Sequence, residues 1–322
     1  MSIKIGIVGY GNLGRGVEAS ILKNKDMELV AIFSRRDPKE LNNDKAVSYD
    51  DIENYIGKID VMIMCGGSLT DVLKQGPYVA SMFNTVDAFD IHNEIYNYME
   101  TLEEVGKKSN TLCMVSTGWD PGLFSYQRLF SDVILPDGDS YTFWGKGVSQ
   151  GHSDAIRKVD GVLDARQYTV PKEEVKSKVL NGERLKLNNF DRHIRVCYVV
   201  VKDGFDKSLI EKKIKEMPNY FLGYETIVNF VDIETLKKEH SGLPHGGRVI
   251  RLGESSSDNK QIIEYGLKLD SNPEFTGSVM VACARAVYRL SKEGRSGSIM
   301  MMDVPLTYYS IKDRKDIIKE YM

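Results

Sequence analysis

Residues Ile3–Arg36 read IKIGIVGYGNLGRGVEASILKNKDMELVAIFSRR, and their pattern decides the fold. Ile3, Ile5, Ile7 and Val8 predict a short buried strand. Gly9, Gly11 and Gly14 follow at once in the order G-x-G-x-x-G. A helix is predicted from about Asn12 to Asn24, with Leu13, Val17, Ile21 and Leu22 on its apolar side. Leu29–Phe33 then closes a strand–helix–strand unit. The glycine pattern alone is weak; a strand before it and a helix after it make it a dinucleotide turn. Gly9 permits the tight turn, Gly11 lets a pyrophosphate approach the backbone, and Gly14 lets helix and strand pack closely. The free N–H groups at the helix start supply the anion site.

The end of the second strand selects the dinucleotide. An Asp or Glu there holds a free ribose 2′-hydroxyl. Here the strand ends Ser34-Arg35-Arg36, with no acid before Asp37. Two guanidiniums clamp a 2′-phosphate with forked hydrogen bonds, and a carboxylate would repel it. The expected cofactor is NADP. The alternative is a solvated arginine pair, against which position and the missing acid agree.

A chain of 322 residues is about two domains at roughly 150 residues each. At 42% hydrophobic and 28% charged residues, a sizeable core is expected. A net charge of −3 argues against a nucleic-acid partner. The first strand begins with the chain, leaving no room for a signal peptide, and no apolar run approaches the ~20 residues that span a bilayer. A cytoplasmic protein off the membrane is expected. Cys65, Cys113, Cys197 and Cys283 lie in apolar segments without a C-x-x-C pair, so packed free thiols are expected. The five histidines show no metal spacing, and no metal is expected.

Along the chain, Asp60–Cys65 is a continuous apolar run, the mark of a strand buried on both faces. Gly66-Gly67-Ser68 follows it. Asn84–Asp87 and Thr111–Val115 are further strands. They empty into Ala88-Phe89-Asp90-Ile91-His92 and Ser116-Thr-Gly-Trp-Asp-Pro-Gly122. Helices intervene, so the fold class is α/β: a Rossmann-type doubly wound parallel sheet over 1–118, with the segment about 293–322 packing back. Loops at the carboxyl ends of its strands share one edge. The glycine turn, Arg35, Ser68, Asp90 and Asp120 should converge there. Beyond it, 141–144, 165–170, 193–201, 225–231, 248–252 and 261–269 read as strands without a second glycine turn. Residues 119–292 therefore predict a second, α+β domain with an open mixed sheet, carrying substrate binding and dimerisation, and ending in a long amphipathic helix at about 275–292.

Several constellations could carry chemistry. Asp90 and Asp120 are two carboxylates expected near a nicotinamide. They suit a substrate ammonium or proton transfer; the plain alternative is a pair of turn caps. Trp144 to Asp154 sets polar side chains among glycines, as a ligand loop or a connector would. His245 sits on a glycine-rich turn. Arg195 lies among apolar neighbours in HIRVCYVV, and a buried guanidinium needs an acid, either of the protein or of a ligand.

The runs VGYGNLGRGVE, IFSRR, VDAFDIH, VSTGWDPG, TFWGKGVSQGHSDA, QYTVP, MPNYFLGYE, GLPHGG and KLDSNPEFT together resemble the meso-diaminopimelate dehydrogenase family over nearly the whole chain. The resemblance implies NADP-dependent, reversible oxidative deamination at the D-centre of meso-2,6-diaminopimelate. The products are L-2-amino-6-oxopimelate, which cyclises to tetrahydrodipicolinate, with ammonia and NADPH. In reverse this serves lysine biosynthesis. It further implies a homodimer. By motif, the D-centre falls to Asp90 and Asp120, the catalytic candidates, with Trp144, Gln150 and Gly151 nearby. The far carboxylate falls to Thr169, Arg195 and His245, with Asn272 close by. Cofactor contacts fall to Gly11, Asn12, Leu13, Gly14, Ser34, Arg35, Arg36, Cys65, Gly66, Gly67, Ser68, Thr117, Gly118, Trp119, Asp120 and Pro121.

Other two-domain NADP oxidoreductases fit less well. A semialdehyde dehydrogenase needs an activated cysteine, and Cys65, the one thiol at a strand end, has no base beside it. Sugar dehydrogenases of this build carry a Lys-Pro pair after a Rossmann strand, absent here. A non-enzymatic NADP(H) sensor would have no use for Asp90, Asp120, Arg195 and His245 together.

Overall fold

A computed structural model describes residues 2–257 and 259–322. In chain order come β1 (Ile3–Val8), α1 (Asn12–Lys23), β2 (Met27–Ser34), β3 (Ala46–Ser48), β4 (Val61–Met64) and α2 (Leu73–Ala80). Then follow β5 (Asn84–Asp87), α3 (Ile95–Ser109), β6 (Leu112–Met114) and α4 (Leu123–Ile134). The middle of the chain holds β7 (Gly138–Trp144), β8 (Gly147–Val148), α5 (Gln150–Arg157), β9 (Val162–Pro171), α6 (Glu173–Leu180) and α7 (Asn189–Arg192). Next are β10 (His193–Val201), α8 (Lys207–Lys215), β11 (Thr226–Phe230), α9 (Ile233–Glu239), β12 (His245–Ser256) and β13 (Asn259–Leu269). The last elements are α10 (Asn272–Lys292), β14 (Gly297–Ile299) and α11 (Arg314–Tyr321).

Two compact units result: Met1–Tyr126 with Pro273–Met322, and Gln127–Asn272. The first unit holds a seven-stranded parallel sheet in the order β14-β6-β5-β4-β1-β2-β3. Strand order reverses where β1 pairs with both β2 and β4. That switch point is where such sheets take a ligand. Every residue of β4 is buried, as the uninterrupted apolar run demands.

Residues 119–126 and the helix expected at about 275–292, placed by the sequence reading in the second domain, pack in the first unit. The reason is a non-local contact. Met280, Val281, Ala284, Val287 and Leu290 of α10 join the core of the parallel sheet with Val17 and Ile21 of α1. The two helices meet backbone to backbone: a Cβ at Gly16 would lie 2.6 Å from the Pro273 carbonyl oxygen, and one at Gly277 2.6 Å from the Val17 nitrogen. In the final segment β14 adds beside β6.

The second unit divides its strands between two sheets, where the sequence reading expected one. Four strands run β11-β10-β9-β8 in mixed sense, and three run β13-β12-β7, all antiparallel. Ile156 of α5 with Ile210 and Ile214 of α8 cover one face of the mixed sheet. Val179 of α6 packs on Tyr141, Phe143, Ile250 and Leu252 of the other sheet. Alternation along a strand fixes which face is apolar but not which strand it pairs with. β7 pairs with β12, a hundred residues on in the chain, and nothing local announces that.

Candidate active site

The candidates fall into two groups, one in each unit. In the first, α1 is preceded by Gly11, with no side-chain cap and no acid in its first turn, which includes Asn12 and Leu13, so its leading N–H groups remain available to an anion. A Cβ at Gly14 would lie 2.3 Å from the Gly9 carbonyl oxygen, while one at Gly11 meets nothing within 4 Å. Gly14 thus closes helix on turn, and Gly11 keeps the turn open. Beside them lies a cleft of about 350 Å³, lined by Gly9, Gly11, Ser34, Arg35, Arg36, Tyr49, Cys65, Gly66, Gly67 and Asp71 among others. Arg36 donates to the Tyr10 carbonyl, and its own N–H is held by Ser34 Oγ at 3.0 Å. Arg35, largely exposed, pairs with Asp71 at 2.5 Å. Sequence reading missed Asp71, which lies 36 residues from Arg35 and also accepts from the Gly67 N–H at 3.2 Å. It does not occupy the end of β2, where a ribose-binding acid would stand.

The other strand-end loops of this unit meet one another. Ser68 Oγ accepts from the Asp90 N–H at 3.3 Å. Ser116 Oγ donates to the Phe89 carbonyl at 2.7 Å. Thr117, Gly118 and Trp119 are buried, and Trp119 stacks edge-on against Phe124 at 5.3 Å. Asp120, joined to Pro121 by a cis peptide, is half-buried, and Asp90 is exposed. Burial drives the Cys65 thiol far above its ordinary value. A thiol kept neutral is no nucleophile, which removes semialdehyde chemistry from this strand end. All four cysteines are free and buried, as expected.

In the second unit Thr169 of β9 has Arg195 of β10 across it on one side and Gly147 of β8 on the other. Arg195 Nη1 donates to Thr169 Oγ1 at 2.5 Å. The guanidinium lies 4.1 Å over the Tyr224 ring. Arg195 is 9% exposed, and Nε has no hydrogen-bond partner among the described residues. No acid from these residues pairs with Arg195; burial holds its pKa below the ordinary value. His193 and His152 are pushed down to about 4, by burial first and by the Arg195 charge second. Both are therefore neutral at pH 7 and leave Arg195 as the cation of this group. His193 Nε2 accepts from the Trp144 N–H at 2.8 Å, and the two rings stack at 5.1 Å.

His245 closes the set. A Cβ at Gly147 would lie 2.3 Å from His245 Cγ, so only glycine lets the imidazole rest on the strand that pairs with Thr169. Its Nδ1 lies 2.8 Å from the Gly246 nitrogen and 3.1 Å from the Gly246 carbonyl oxygen, so the backbone of the turn engages that nitrogen. The Asn272 N–H donates to Leu243 O at 2.9 Å, beside the Pro244-His245 turn. Gln150 and Gly151 open α5, both exposed. Thr169 and Arg195 thus meet directly, and His245 packs on Gly147, the strand partner of Thr169. The structure adds Tyr224, His193 and His152, which sequence reading did not select; Tyr224 lies in the MPNYFLGYE run, its one available signal. Among the described residues no group of three or more potential ligands could hold a metal. Among the described residues no helix is long and apolar enough to cross a membrane.

Comparison with known proteins gives consistent results. The profile of the diaminopimelic acid dehydrogenase C-terminal domain matches residues 118–271. A meso-diaminopimelate D-dehydrogenase of Ureibacillus thermosphaericus is 53% identical, over 99% of each chain. Among solved structures, a sixfold-substituted meso-diaminopimelate dehydrogenase from Clostridium tetani E88 with diaminopimelate is 49% identical, with TM-score 0.95 and complete coverage of both chains. An engineered D-amino acid dehydrogenase bound to NADP+ is 39% identical, with TM-score 0.90 and the same coverage.

Proposed function

The chain belongs to the meso-diaminopimelate D-dehydrogenase family, and from that premise we infer its reaction and the duties of its side chains. It is an NADP-dependent oxidoreductase acting on a CH–NH2 group. It deaminates meso-2,6-diaminopimelate oxidatively and reversibly at the D-centre, giving L-2-amino-6-oxopimelate, ammonia and NADPH. The reverse direction serves lysine biosynthesis.

One observation carries the assignment of residues: Arg195 is a buried cation with no carboxylate partner among the described residues. Burying an unpaired charge is strongly unfavourable, and the far carboxylate of a diacid relieves it. Thr169 Oγ1 and the His245 ring add donors for the same group. A second observation supports the set. The positions substituted in the Clostridium tetani enzyme are a Gln, a Thr, an Arg, a Pro, a His and an Asn. Gln150, Thr169, Arg195, Pro244, His245 and Asn272 are the same residue types, in the same order and at the same intervals.

The cleft beside the glycine turn fits NADP. Gly11 leaves room for a pyrophosphate, and Arg35 and Arg36 stand where a 2′-phosphate needs cations. The bound nicotinamide supplies the hydride acceptor; the protein supplies position and proton handling. Asp90 and Asp120 are the acids assigned to the D-centre ammonium. The amine must be neutral as hydride leaves, so that its lone pair forms the imine. We assign that proton to Asp120. Water then adds to the imine carbon and ammonia departs. Fixing the far carboxylate with Arg195 sets which α-carbon reaches the acceptor, and hence selects D over L.

We place the enzyme in the cytoplasm as a homodimer. Exposed Leu129, Val133 and Ile134 on α4 are the apolar surface such pairing would cover. The test of the proton assignment is Asp120→Asn. kcat is expected to fall at least tenfold and its pH dependence to flatten on the acid side; unchanged kcat across pH would withdraw the role.

A further inference from the structure

Asp87 ends β5, is 1% exposed, and has no cationic partner among the described residues. Its Oδ1 accepts two backbone N–H groups from different loops: Phe89, 2.9 Å away, and Ser116, 3.1 Å away. Its own carbonyl accepts both the N–H and the hydroxyl of Thr117, each at 2.8 Å. Ser116 Oγ completes the tie by donating to the Phe89 carbonyl. Ser116 sits at a φ of +57°, a left-handed conformation that a serine keeps only when its surroundings hold it. One carboxylate thus joins the segment that delivers Asp90, three residues after it, to the segment that delivers Asp120, three residues after Thr117.

We propose that Asp87 is the positioning residue that sets Asp90 and Asp120 in one arrangement for the D-centre, an inference that rests on the reading of those two acids given above. A buried strand end is a place for an apolar side chain, because a carboxylate there loses its hydration. Burial pushes Asp87 up to about 6, while the hydrogen bonds from Phe89 and Ser116 pull the other way. The group is retained at that disadvantage because no apolar side chain accepts from two loops at once. The work lies in Oδ1 as an acceptor, so the amide oxygen of asparagine replaces it.

The test compares Asp87→Asn, Asp87→Ala and Ser116→Ala by steady-state kinetics with meso-diaminopimelate and by NADP binding followed calorimetrically. Asp87→Asn is expected to stay within about threefold of wild type in kcat and KM. Asp87→Ala is expected to lose at least tenfold in kcat and to raise KM for the amino acid, with the NADP dissociation constant within about threefold. Ser116→Ala cuts one loop-to-loop bond and should raise KM severalfold; it serves where Asp87→Ala does not fold. Wild-type kinetics in a folded, NADP-binding Asp87→Ala protein would overturn the proposal. So would an Asp87→Asn loss as large as that of Asp87→Ala, or wild-type kinetics in Ser116→Ala when Asp87→Ala does not fold. Asp90→Asn and Asp120→Asn separate the two levels. If neither affects turnover, the reading of the acids fails; if they do and the Asp87 and Ser116 variants do not, only the clasp fails.

Discussion

Thr169 and Arg195 face each other across β9 and β10, and the hydroxyl of one holds the guanidinium of the other at 2.5 Å. The threonine occupies one donor nitrogen and the Tyr224 ring covers one face of the cation. A guanidinium fixed in this way loses little further freedom when a carboxylate binds.

Arg195→Met keeps the stem of the side chain and removes its charge. The loss of a charge-assisted pair in a buried setting is worth roughly 2–4 kcal/mol, so kcat/KM for meso-diaminopimelate should fall by about 30- to 1,000-fold. Steady-state kinetics measure the fall, and NADP binding should be unchanged.

Arg35→Ala should weaken NADP about tenfold and leave NAD unaffected, since only the former has a 2′-phosphate to lose contact with. Arg35 is exposed and shared with Asp71, which keeps the effect modest. Titrations at low and high salt check it, because the wild-type preference for NADP should shrink as ionic strength rises.

Asp87 gives a pH signature of its own. In the folded chain it titrates at about 6, above its unfolded value of about 3.9. Between those values the native state holds a proton that the unfolded chain has released, so stability falls as pH rises through that window. The resulting penalty, on the order of 3 kcal/mol, persists above it. Asp87→Asn should therefore melt about 3–6 °C higher than wild type at pH 8, with no gain at pH 4; thermal unfolding at the two pH values decides.

Asp26 carries the opposite sign. Arg285, buried on α10, grips both of its oxygens at 2.6 and 2.8 Å. That hydrogen bonding holds the carboxyl below its ordinary value. Its stabilisation is present above the unfolded pKa of about 3.9 and is lost as pH falls through the folded value. Asp26→Asn should cost about 2 kcal/mol at pH 7, because the Tyr309 carbonyl still accepts from Nη1 and Asn24 Oδ1 still accepts from Nη2, the nitrogen it shares with Asp26. The difference from wild type should close in strong acid, as read by denaturant unfolding.

Much of the first unit could be read locally. Gly11 and Gly14 stand one turn from the strand they serve, and β10 begins and ends where its alternation does, at His193 and Val201. Non-local relations were hidden. α10 has an apolar face that would suit either unit, and only the approach of Gly16 to Gly277 assigns it. β12 runs four residues beyond the predicted end, to Ser256, because β13 pairs with Gly253, Glu254 and Ser256, past a register shift at Ser255. Asp87 was invisible as a functional group: at the end of an apolar strand it reads as a turn residue. Its meaning lies in Ser116, 29 residues away.

The central claim is that hydride leaves the D-centre of meso-diaminopimelate for NADP. Substrate deuterated at either α-carbon, incubated with NADP and the enzyme, tests it by mass analysis of the NADPH formed. Label at the D-centre should pass into NADPH while label at the L-centre stays in the product. Transfer from the L-centre, or no NADPH from either substrate, would contradict the account.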